Sequence, residues 1–308
     1  MAVQSTEAMA ARRVPERRRL KFGKSVLRFL RVYPVVPGFL LFSLLMLAVT
    51  ADMTPFDPTR QSLRDRTLAP GAESLNPALA GERYLLGADQ FGRDVLTRIM
   101  HGARLSLMIV GIVSISGIVI GTAYGVAAGY FGGLADETML RIVDMYYAIP
   151  FLLLALVTVI VLGKSLTVVI GLLVLQSWPP FVRVVRAEVL SLKERDYVMS
   201  ARVCGASARR IMMRHLLPGV INTVIVIATL RVGQIVLTEA ILSFLGAGIS
   251  PPRPAWGLMT SEGRNYLNDA WWIAFFPGLA IFMLVVSLNF IGDWFRDRFD
   301  PRLRQLQN

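Results

Sequence analysis

The sequence predicts an all-α polytopic membrane protein with six transmembrane helices, and three observations lead there. The 308-residue chain is 54% hydrophobic, with a mean hydropathy of +0.54, more apolar than an average soluble domain. The apolar residues come in runs that approach the roughly 20 residues needed to span hydrocarbon, rather than in amphipathic alternation. The net charge of +12 is unevenly distributed between the loops, which points to membrane topology rather than to nucleic acid.

Two function classes lose support at once. The single cysteine, Cys204, allows no intrachain disulfide and no cysteine-based metal site. The two histidines, His101 and His215, are far apart in sequence, so no histidine-based metal site is expected.

The elements follow in chain order. Residues 1–33 form a basic arm carrying Arg12, Arg13, Arg17, Arg18, Arg19, Lys21, Lys24, Arg28 and Arg31. The first apolar run, 34–52, stops at Ala51-Asp-Met-Thr-Pro55 with no small-residue cleavage site, so it reads as a retained span. The segment 53–104 is rich in Pro, Ala and polar residues, and its arginines are balanced by carboxylates. Within it, Val95, Leu96, Ile99 and Met100 share one helical face, which predicts a short interfacial helix before the second span.

The remaining spans are expected at 105–130, 140–162, 166–183, 219–243 and 271–293, within one unit covering 105–293. Gly117, Gly121, Gly125 and Gly129 recur every four residues in span two, so one face allows close helix approach. Trp178-Pro179-Pro180 predicts a bend or break in span four. A tail, 294–308, carries Arg296, Arg298, Arg302 and Arg304. Placing both termini inside puts the Arg-rich 183–214 loop inside as well, in agreement with the positive-inside bias. Trp271, Trp272, Phe275 and Phe276 then form an aromatic belt at the outer surface.

Gly163-Lys164-Ser165 imitates the end of a phosphate-binding loop. Thr158 stands where that loop needs a glycine, and a strand-loop-helix context is missing, so the chain is not expected to bind ATP. Arg231 lies near the middle of span five, where a bare charge costs about 2.5–3.5 kcal/mol on the insertion scale. Glu239 is eight residues on. The two are read either as a structural pair or as polar contacts on a substrate path, where Arg231 would attract a carboxylate.

The loop between spans four and five is the strongest functional signal. Around Ala201, Gly205, Ala206, Ser207 and Ala208 the residues are small, basic and helix-compatible. A DNA-reading helix-turn-helix does not suit a segment flanked so closely by membrane spans. A solvated loop would not need this slim centre, which suits a helix docking into a cleft on a cytosolic partner. Leu216-Leu217-Pro218 is expected to end the elbow, with proline in the first turn of the next span.

Ser200-Ala201-Arg202, Gly205-Ala206-Ser207 and His215-Leu216-Leu217-Pro218 resemble the coupling-helix motif of ATP-binding-cassette importer permeases. Nine residues separate Gly205 from His215, as in that motif. Met199 and Ser200 depart from its initial Glu-Ala, which removes one acidic docking contact. Leu86 to Asp94, Ala128 to Gly133, Asp144 to Pro150, Leu242 to Gly246, Pro251-Pro252, Trp256-Gly257, Ser261 to Arg264, Gly292-Asp293 and Asp300 to Arg302 are similar to the C-type permease subunit of the dipeptide/oligopeptide/nickel class.

The resemblance implies a type I importer permease fold with no catalytic residue of its own. It implies a bacterial cytoplasmic-membrane location and a second, homologous permease. It also implies two cytosolic ATPases holding ATP and magnesium, and an extracytoplasmic solute-binding protein. Met199, Ser200, Ala201, Arg202, Gly205, Ala206, Arg209, Arg210, Leu217 and Pro218 would form the ATPase contact, within an elbow of about 195–218. Peptides are the expected cargo; nickel chelates, glutathione or another small solute are the alternatives. An ion channel or an intramembrane enzyme would leave the elbow unexplained.

Overall fold

The computed structural model describes residues 35–299; the basic arm and most of the tail, including Arg302 and Arg304, lie outside the described residues. Eleven α-helices are described: α1 (Val35–Val49), α2 (Val95–Phe131), α3 (Gly133–Ala148), α4 (Phe151–Leu162), α5 (Leu166–Ser177), α6 (Pro179–Leu192), α7 (Asp196–Val203), α8 (Ala208–Ile211), α9 (Leu217–Phe244), α10 (Trp256–Gly263) and α11 (Trp272–Phe299). Five helical segments are long and apolar enough to cross a membrane, and a bent pair makes a sixth.

Two elements differ from the sequence expectation. The interfacial helix does not exist as a separate piece, because Val95–Phe131 is one helix of 37 residues. Its first turns are largely buried: Val95, Thr97, Arg98, Ile99 and Met100 are shielded, and of the predicted apolar face only Leu96 is partly exposed. Asp94 caps it, its carboxylate accepting the Thr97 N–H at 2.7 Å.

The third span is two helices, α3 and α4, meeting at 79°. Pro150 supplies no N–H, and it holds Ile149 in an extended conformation (φ −97°, ψ 121°), which ends α3 there.

The fourth span bends where the sequence predicts, at Trp178 before the two prolines. Trp178 stays helical (φ −79°, ψ −32°), and its carbonyl accepts the N–H groups of both Phe181 and Val182. α5 and α6 are thus two helices set off from each other by a bend at Trp178, and together they make one candidate span, Leu166–Leu192.

Helix α2 is central. Near its start it packs with α1, α10 and α11 around Leu44, Ile99, Trp256, Ile273 and Leu284. Its middle meets α4, α5 and α9 around Ile109, Val159, Leu173 and Leu242. Its end meets α6 and α9 around Val126, Phe181, Val185 and Val220.

The α2–α6 contact is close because of the four glycines. A Cβ on Gly121 would sit 2.5 Å from the Trp178 carbonyl oxygen, and one on Gly129 would sit 2.7 Å from Val189 Cγ1. Gly117 and Gly125 face Ser177 and Val185 in the same way.

Candidate coupling elbow and membrane-depth recess

The elbow starts where α6 ends. Lys193 Nζ donates to the Gly129 carbonyl at 3.3 Å, placing a cation at the C-terminus of α2. Arg186 grips Asp136 through two hydrogen bonds, one of them Nη2 to Oδ2 at 2.6 Å, and so ties α6 to the first turn of α3. From this anchored base α7 projects with one side chain, Val198, fully buried.

Gly205 (φ +78°) ends α7. Its N–H bonds the Arg202 carbonyl and the Ala206 N–H bonds the Ala201 carbonyl, a Schellman stop. The glycine is therefore required by the backbone conformation, beyond keeping the element slim: no heavy atom lies within 4 Å of the site a Cβ would take.

Ser207 then caps α8, accepting the Arg210 N–H at 3.4 Å. Ile211 and Leu216 return to the core beside Val198. Pro218 lies in the first turn of α9, as expected, although the helical backbone runs on without a gap from Ala208 to Phe244. A π-helical turn, Met212–Leu216, precedes the proline and widens the backbone where the missing N–H and the ring would otherwise disturb it.

The expected contact residues share this element. Met199, Ser200, Arg202, Gly205, Arg209, Arg210 and Pro218 are exposed, while Ala201, Ala206 and Leu217 are half-buried. Val203, outside the expected set, is 88% exposed at the tip, and Tyr197 and Met199 are about half exposed. Among the described residues no carboxylate lies within 4 Å of Arg202, Arg209, Arg210 or Arg214. The result is an apolar tip ringed by unpaired guanidinium groups.

Arg231 and Glu239 do not pair. Glu239 is 3% exposed and accepts the Ser243 hydroxyl at 2.8 Å, while Ser243 and Ala240 pack against Gly257 of α10. Eight residues of helix turn the two side chains about 80° apart, which explains the separation. Arg231 instead donates from Nη1 to Gln234 Oε1 at 2.6 Å. It borders a small recess between α5 and α9 with Gln176, Ser177, Gln234 and Thr238.

At the opposite end from the elbow, a site the sequence reading did not assign is assembled from two distant segments. Arg93 Nε donates to Asp89 Oδ2 at 2.6 Å and its Nη2 to Glu262 Oε2 at 3.1 Å. Arg98 stands 3.6 Å from Asp89 and 3.8 Å from Glu262, and donates to the Pro58 carbonyl. Both arginines are at most 2% exposed. Gln90 adds a bond to Glu262 at 3.2 Å. Only the two family-like motifs at 86–94 and 261–264 hinted at this, since balanced charges in a loop read as solvated.

Nearby, Asp65 is fully buried and accepts from Leu75 N (2.7 Å), Ser74 Oγ and Tyr84 OH (both 2.9 Å). Burial pushes this carboxyl up, but the hydrogen bonds outweigh it and hold it below its ordinary value. Gly92 (φ +72°) closes the same turn, where any Cβ would overlap the Ser62 carbonyl.

Known proteins share this architecture. The family described as "binding-protein-dependent transport system inner membrane component" matches residues 121–305. A dipeptide transport system permease protein, DppC, of Haemophilus influenzae is 40% identical over 87% of this chain and 89% of its own length. A glutathione transport system permease protein, GsiD, of Pectobacterium atrosepticum is 39% identical over 90% of each chain. A di/tripeptide permease protein, DppC, of Pseudomonas aeruginosa is 40% identical over 87% of this chain and 88% of its own. A chain of the MetNI methionine ABC transporter, solved in inward-facing conformations, superposes with a TM-score of 0.52 at 22% identity, over 66% of this chain and 96% of that one, a likeness of fold. Helical architecture, family match and relatives over nearly the whole length agree: the chain belongs to the inner-membrane components of binding-protein-dependent transport systems, the permeases of ABC importers.

Proposed function

We propose that the chain is one permease half of an ATP-driven importer of short peptides, driven through the elbow at 195–218. The observation that carries the reading is the tip itself. Val203, Tyr197 and Met199 are exposed, and the arginines around them have no carboxylate partner among the described residues. Such a surface suits a cleft lined by apolar and acidic residues on a cytosolic ATPase. With Met199 in place of an acid, docking rests on shape and on Arg202, Arg209 and Arg210.

The unpaired basic end is cytoplasmic by the positive-inside bias, which puts both termini inside. The charge-paired end then faces outside and meets the solute-binding protein. ATP and magnesium sit on the two ATPases, and a second, homologous permease completes the path. Closure of the ATPases would shift the elbow, with α6 and α9 attached, and alternate the path between its two faces.

Short peptides as cargo follow from the dipeptide and di/tripeptide relatives. Glutathione, itself a modified tripeptide, is the second reading, favoured by the equally similar glutathione permease.

The test is co-purification from membranes holding the intact importer. The unmodified protein is expected to bring down both ATPases, and Val203→Asp to lose them by more than tenfold while inserting normally. Undiminished ATPase recovery with Val203→Asp would remove the elbow from the interface.

A further inference from the structure

We propose that the recess beside Arg231 is a carboxylate station on the translocation path, and that it recognises the free C-terminal carboxylate of a peptide in transit. The inference rests on the importer reading and adds to it a ligand group and the residues that hold it.

The guanidinium is unusual for its position. Arg231 lies 13 residues inside the Phe244 end of α9, about 20 Å deep along the helix. A charge at that depth is stable when it faces a polar cavity or a counter-ion. Among the described residues it has no counter-ion: its one hydrogen bond goes to the neutral Gln234 amide, and Glu239 is turned away into the α9–α10 packing. A guanidinium has five donors, so one bond to Gln234 leaves the rest of the fork unused.

Three further polar side chains converge on the same recess. Gln176 and Ser177 come from α5, and Thr238 lies two turns along α9 from Arg231. Leu173 and Ile235 supply the apolar part of the lining. A single cation, amides and hydroxyls, without an acid in the lining, make an arrangement for one anionic, planar group. The recess is small, about 30 Å³, which admits an end group such as a carboxylate and not a whole solute. The rest of a peptide would extend out of the recess, so the station would read one terminus and tolerate varied side chains.

The test uses the complete importer, with its ATPases, second permease and binding protein, in proteoliposomes. The probes are radiolabelled trialanine and trialanine amide, which differ at the terminal carboxylate. Any preference set by the binding protein is common to all variants, so the informative quantity is how the acid-to-amide uptake ratio changes with the permease. Arg231→Gln is expected to lower that ratio at least tenfold, chiefly through the maximal rate at saturating binding protein. Arg231→Lys should restore part of it. Gln176→Leu, which keeps the charge, should lower the ratio about threefold, and it carries the test if Arg231→Gln does not assemble. An unchanged ratio in the variants of an active importer overturns the carboxylate station alone. An importer with unmodified Arg231 that takes up neither probe overturns the peptide reading on which the station rests.

Discussion

The two ends of the bundle use arginine in opposite ways. At the end built from 54–94 and α10, Arg93 and Arg98 are buried and held by nearby Asp89 and by Glu262, some 170 residues away in sequence. At the elbow, Arg202, Arg209, Arg210 and Arg214 are exposed, with no carboxylate within 4 Å of them among the described residues. A buried charge must be satisfied inside the chain, so the first set fixes a shape. An exposed, unpaired charge contributes little to the fold and is available to another molecule. The difference separates a scaffold end from a docking end.

The sharpest way to break this comparison is to delete a buried cation. Arg93→Ala leaves Asp89 and Glu262 short of a partner, and a loss of about 3–5 kcal/mol is expected in thermal or denaturant unfolding of the detergent-solubilised protein. A loss under about 1 kcal/mol would mean that the cluster does not hold that end together.

Asp65→Asn sharpens it at intermediate size. Charge-assisted hydrogen bonds from Leu75, Ser74 and Tyr84 are weakened, for an expected loss of about 1.5–3 kcal/mol near neutral pH. The folded carboxyl lies below its ordinary value, so its stabilisation is complete above the unfolded pKa. That stabilisation disappears as the pH falls through the folded value, in the range below about pH 4. The variant should therefore lose less stability on acidification than the parent protein. Equal pH profiles would show that another group sets the acid response.

The smallest effect is expected at the elbow. Arg202→Ala should change stability by less than about 0.5 kcal/mol, as for an exposed residue with no ion pair among the described residues. A larger loss would show that the elbow arginines serve the fold after all.

The same contrast explains what was legible in the sequence. Apolar runs locate spans well because each must supply enough length to cross hydrocarbon. The spacing of the glycines in α2 reads directly as a contact face, because a missing Cβ has one geometric meaning. The joint at Ile149-Pro150 was harder, since a proline signals a break without giving its angle: 79° there, against a bend at Trp178 that leaves one candidate span. The start of α2 was misread for a deeper reason. Arg93, Asp94 and Arg98 look like solvent-facing residues until Glu262 is brought beside them, and no local pattern announces a partner that distant. Arg231 and Glu239 show the limit in the other direction. Their closeness along the helix suggests a pair, and only the packing of α10 reveals that Glu239 belongs to a different surface.

The unbroken length of α2 has a mechanical consequence. Thirty-seven residues make a rod of about 55 Å, which begins at the buried arginine cluster and ends at the Lys193 contact beneath the elbow. A tilt of about 5° pivoting at one end of a rod that long carries the other end through about 5 Å. The scaffold end and the docking end thus share one lever arm, and a small rotation delivered at either end becomes a displacement of atomic-pocket size at the other.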